Sequence, residues 1–91
     1  MSEHPYYGTP EELRDFVHEC LHMTAFYSGM AVSYAEAHDD AGLEYSTRKA
    51  ATALKSGVTV LGMLKQANAK LLKERLRARA EREGADLALG L

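Results

Sequence analysis

His38-Asp39-Asp40-Ala41-Gly42 is the only convincing break in the middle of a chain that otherwise patterns as helix. Asp and Gly in succession favour turn geometry over helix continuation, because their side chains compete for backbone partners or free the backbone altogether. On both sides of the break apolar residues recur at alternating spacings of three and four, which is helical periodicity. The fold therefore depends on what the two flanking segments are and how they meet.

Upstream, Thr9-Pro10-Glu11-Glu12 is a strong helix start. Thr9 serves as N-cap, Pro10 suits the first helical position, and Glu12 at the third completes a capping box. From there Leu13, Phe16, Cys20, Met23, Tyr27, Met30 and Tyr34 form the expected apolar stripe, so a helix is expected over about residues 10–38. Downstream, the stripe Leu43, Thr47, Ala50, Leu54, Gly57, Leu61, Leu64, Asn68 and Leu71 predicts a second helix over about residues 41–83. Gly84 is the expected C-cap, with Arg77, Arg79 and Arg82 near the negative end of the helix dipole. Residues 1–9 would be an N-terminal arm and residues 84–91 a short tail on one all-α domain.

Charge separates the two segments. Residues 1–46 hold nine acids and one base, while residues 47–91 hold ten bases and four acids. Folding back about Asp40-Ala41 would oppose residue x to about 81 minus x, bringing Glu11, Glu12 and Asp15 near Lys65, Lys70 and Lys73. Such surface pairs contribute well under ~1 kcal/mol each, but together they favour an antiparallel hairpin. Small residues on both segments, among them Ala25, Gly29, Ala53, Gly57 and Gly62, point to close helix approach, since a mid-helix glycine costs roughly 1 kcal/mol against alanine. Phe26, Val32 and Met63 fall off the main stripes, making the middle of the hairpin apolar nearly all round. A helix of that kind is buried on several sides. A homodimer pairing two hairpins into a four-helix bundle is the expected solution. Its expected interface is Tyr27, Met30, Tyr34, Leu54, Gly57, Leu61, Leu64 and Asn68, with Asn68 as a polar register device.

The second helix outruns the first. Residues 70–83 carry six bases and three acids. Lys70, Lys73, Arg75, Arg77, Arg79 and Arg82, together with Tyr6 and Tyr7 in the N-terminal arm, are the candidate partner surface. Nucleic-acid binding through that basic end is a weaker alternative. The interleaved acids, a net charge of −2 and the lack of a stacking platform or helix-turn-helix oppose it.

His18-Glu19-Cys20-Leu21-His22 spells HExxH, the zinc-peptidase pentapeptide, which sets two imidazoles one helical turn apart with a glutamate near the metal-bound water. Catalytic zinc needs a third protein ligand. The facing segment around residues 59–63 offers no carboxylate, histidine or second thiol. Glu19 and His22 also have the spacing of di-iron bundles, which require carboxylates from facing helices. A minimal zinc hydrolase is therefore the alternative, and no cofactor or metal is expected. Cys20 falls on the apolar stripe and reads as a buried thiol.

Ninety-one residues, 26% charged and 46% hydrophobic, make an ordinary small globular composition. A lone cysteine and an N-terminus without basic or apolar signal regions point to a cytoplasmic protein. The apolar-leaning stretches 21–35 and 50–64 are about 15 residues each, against the ~20 that a span needs. The expected function is a non-enzymatic interaction or assembly protein of adaptor, inhibitor or chaperone type, working as a homo-oligomer that binds another protein.

Overall fold

Thr9 starts the first helix as its sequence demands. Its hydroxyl accepts from the Glu12 backbone N–H at 3.1 Å, and the Glu12 carboxylate accepts from the Thr9 N–H at 2.9 Å. A computed structural model describes residues 8–88 and Gly90, and places two helices in them: α1, Pro10–Glu36, and α2, Asp40–Ala88. No strand occurs among the described residues. Tyr6 and Tyr7 lie outside them. No described helix is long and apolar enough to cross a membrane.

Three residues reverse the chain. The Asp39 N–H donates to the Tyr34 carbonyl at 2.9 Å and the His38 N–H to the Ala35 carbonyl at 3.1 Å. That pair of bonds is a Schellman motif, which needs a left-handed residue just past the helix. His38 fills the place usually held by glycine, with φ 58°. Asp39 then caps α2, its Oδ1 accepting from the Gly42 N–H at 3.0 Å.

This turn centres the hairpin on His38, two residues earlier than the sequence suggests. Tyr34 packs over Gly42 and Cys20 stands opposite Gly57. Paired positions thus add to 76 or 77 rather than 81, a displacement of about one helical turn. The expected charge matching is lost with it. The ion pairs among the described residues, Arg48–Glu44 and Arg79–Glu83, both lie within α2 and both are exposed. What holds the antiparallel arrangement is packing.

The packed seam is narrow. On α1 it runs Leu13, Val17, Cys20, Thr24, Tyr27, Ala31, Tyr34, and on α2 Ser46, Ala50, Ala53, Gly57, Val60, Leu64, Ala67. Both follow the four-and-three alternation of a helix pair. Leu13, Val60 and Leu64 form the buried cluster, with Val17, Met63 and Ala67 packed against it. Phe16 and Met23, expected in the stripe, are exposed, as are Thr47, Leu54, Leu61, Asn68 and Leu71 on α2. Small seam residues let the helices approach closely: a Cβ built on Gly57 would stand 3.1 Å from the Cys20 Cβ. Ser46 is completely buried here and its hydroxyl has no hydrogen-bond partner among the described residues.

Beyond Ala67, α2 has left α1 behind. It runs on through Gly84, which is interior helix with open space around it and not the expected cap. The 21 residues from 68 to 88 extend about 31 Å at 1.5 Å per residue.

Candidate functional site

The histidine pair lies on the wrong side of α1 for an enclosed site. Helical spacing puts His18 and His22 on the side opposite Leu13, Cys20 and Tyr27. Both are exposed, and their rings stack at 6.2 Å between centroids with 23° between planes. Glu19 is exposed as well, and Cys20 turns inward against Gly57. Among the described residues no three His, Cys, Asp or Glu side chains are grouped where they could hold a metal. The HExxH spacing is thus present as a two-residue pair on an open surface.

The prominent surface features are apolar. Among the described residues four hydrophobic side chains are buried, Leu13, Cys20, Val60 and Leu64. Thirteen large ones are exposed, including Phe26, Val32, Val58, Leu72 and Leu76. Helical geometry and the observed pairings sort them onto the two broad sides of the hairpin.

One side is aromatic. Phe26 meets Tyr27 edge-on at 5.3 Å and Tyr27 meets Tyr45 at 6.4 Å. The Lys49 ammonium sits 5.9 Å from the Tyr27 ring centre and 5.8 Å from that of Tyr45. Farther along this side, where α1 begins, Pro10, Met63, Gln66, Ala67, Lys70, Leu71 and Glu74 line a shallow groove of about 430 Å³. Gly8, at the start of the described chain, also lines it.

The other side is aliphatic and belongs mainly to α2. Leu54, Val58 and Leu61 stand in a row beside Leu21 of α1, and Leu72 and Leu76 continue the row along the unpaired end. Of the expected interface residues, Leu54, Leu61 and Asn68 lie on this side. Gly57 and Leu64 are buried within the hairpin, Tyr34 covers Gly42, and Tyr27 and Met30 are half-buried near the aromatic cluster. The expected partner surface, Lys70, Lys73, Arg75, Arg77, Arg79 and Arg82, is exposed throughout, with Arg79 paired to Glu83 at 3.3 Å. Val58, Leu72 and Leu76 fall outside the stripe expected from the sequence, whose three-four steps cross between this row and the packed seam.

No protein-family model, curated protein or solved structure matches the chain.

Proposed function

We propose that the chain is a non-enzymatic interaction protein of adaptor, inhibitor or chaperone type that works as a homo-oligomer and presents its remaining surfaces to a partner protein. The observation that carries this reading is the aliphatic row on α2, exposed along both the paired and the unpaired parts of the helix. Val58, at its centre, is 60% exposed. Grouped exposed apolar side chains such as Leu54, Val58 and Leu61 mark association sites on protein surfaces.

Size supports the same reading. The chain exposes 7113 Å², whereas a compact monomer of its mass would expose about 5,200 Å². Four buried hydrophobic side chains make a thin core for a domain near the lower limit of independent stability. Self-association covers the row and adds the missing burial. The aromatic side of the hairpin is then left for a second protein.

Light scattering over a range of concentrations tests this. The expected particle is twice the chain mass, with a melting temperature that rises with protein concentration. A monomeric mass at high concentration, with a concentration-independent melt, would overturn the proposal.

A further inference from the structure

The aliphatic row on α2 extends beyond its leucines. From Asp40 to Arg79 the helix carries one uninterrupted series at spacings of four and three: acids Asp40 and Glu44 at one end, Leu54, Val58 and Leu61 in the middle, Leu72, Arg75 and Arg79 at the other. Every member is exposed, including the intervening Thr47, Ala51, Lys65 and Asn68. That alternation is the seam of a coiled coil, set one residue over from the seam that α1 occupies. It spans about 58 Å at 1.5 Å per residue. Since α1 begins beside Ala67, a partner as long as α2 itself is needed to cover the whole row.

Charge along the row selects the orientation of such a partner. A parallel copy would set Asp40 and Glu44 against their own equivalents, and Arg75 and Arg79 likewise. An antiparallel copy places acids over bases at both ends. Aligned so that Val58 meets Leu61 of the copy, and Leu61 its Val58, the same register brings Glu44 to Arg75 and Asp40 to Arg79. Like charges placed directly opposite cost stability and set orientation in helix pairs.

We propose that two copies associate through this row as an antiparallel, two-fold pair of α2 helices, with the basic overhang of each laid across the acidic turn of the other. The arrangement rests on the self-association proposed above and specifies its geometry. The unpaired end of α2 thereby gains a neighbour. The aromatic sides with Phe26 and Tyr45 stay outside the contact.

Distance measurement between spin labels tests the arrangement in the full chain. The label is placed at Ala80→Cys in a Cys20→Ala background, with helicity checked by circular dichroism and mass by light scattering. The antiparallel register centres the pair between residues 59 and 60, so the two labels should lie about 60 Å apart. A parallel pair would hold them within about 15 Å. A dimer-sized mass with the short distance, or with any distance far from ~60 Å, overturns the antiparallel register and leaves self-association standing. A monomeric mass removes both. As a second arm, Val58→Asp should weaken dimerisation about 100-fold by burying an unpaired charge at the centre, with helicity unchanged because position 58 is exposed in the single chain. Phe26→Asp, on the other side, should leave it unchanged. The reverse pattern would overturn the proposal.

Discussion

Up to Ala67, α2 shows a burial pattern, with Ser46, Gly57, Val60 and Leu64 turned in at helical spacing. From Asn68 to Ala85 every residue is exposed. Both stretches belong to one 49-residue helix. The first is held by tertiary contact. The second continues from an existing helix, so it avoids the unfavourable nucleation that makes isolated helices marginal, and its Ala, Leu, Lys, Glu and Arg residues favour continuation. Helix continuity along α2 therefore does not mean equal stability along it. Local opening should be easiest where α1 does not pack.

The sharpest test of that contrast is a pair of leucines. Leu64→Ala should destabilise the hairpin by about 2–4 kcal/mol, as for other buried leucines. Leu76→Ala, at a position 56% exposed, should change it by less than about 0.5 kcal/mol. Urea denaturation at concentrations low enough to keep the chain monomeric would measure both, and equal losses would erase the distinction. Gly42→Ala comes next. Its Cβ would lie 2.6 Å from the Tyr34 Cγ, so the ring must leave its place, at a cost of about 2 kcal/mol. An unchanged melting temperature would show that the Tyr34 contact is dispensable.

Two further glycines should respond with opposite signs. Gly84→Ala has open space and should stabilise the end of α2 locally by about 1 kcal/mol, the helix-propensity difference. Amide hydrogen exchange around residues 80–88 would report it. Gly57→Ala gains the same propensity but presses on the Cys20 Cβ, and it should lower global stability by about 1 kcal/mol net. A gain at Gly57 would mean that the helices can move apart freely. A smaller gain is expected at the turn. His38→Gly removes the cost of a side chain at φ 58°, and should stabilise the hairpin by about 0.5–1 kcal/mol. Thermal melts should shift upward by a few degrees, and a fall would show that the His38 side chain contributes a contact of its own.

Much of the fold is legible in the sequence because its signals are local. The Thr9 capping box, the existence of a break near His38 and the three-four periodicity each depend on residues within one or two turns. The capping box forms at Thr9, while the break is shorter than 38–42 and α2 already begins at Asp40. Register was not legible. It depends on His38 taking a left-handed conformation and on Asp39, not a later residue, capping α2. Neither is written in composition. The faces were blurred for a related reason. On α2 two apolar rows lie side by side, and a stripe such as Thr47, Ala50, Leu54, Gly57, Leu61, Leu64 steps alternately between them. Size misled in the same direction: Phe16 and Met23 looked like core beside Thr24 and Ala31, yet closely approaching helices favour the smaller residues. The HExxH letters were plain, but they could not say that their side chains would point away from α2.

The two rows on α2 differ by one residue throughout: Ala53 and Leu54, Gly57 and Val58, Val60 and Leu61. The turn at His38 therefore acts as a phase setting. Removing a single residue at the start of α2 would advance every later side chain by one slot, rotating it about 100° around the axis. Leu54, Val58 and Leu61 would then confront α1, and the small residues would swing outward. Their bulk would hold the helices farther apart and leave a glycine- and alanine-rich surface behind. The same letters thus contain two alternative cores in adjoining frames, and the residue count between Tyr34 and Gly42 decides which one is internal.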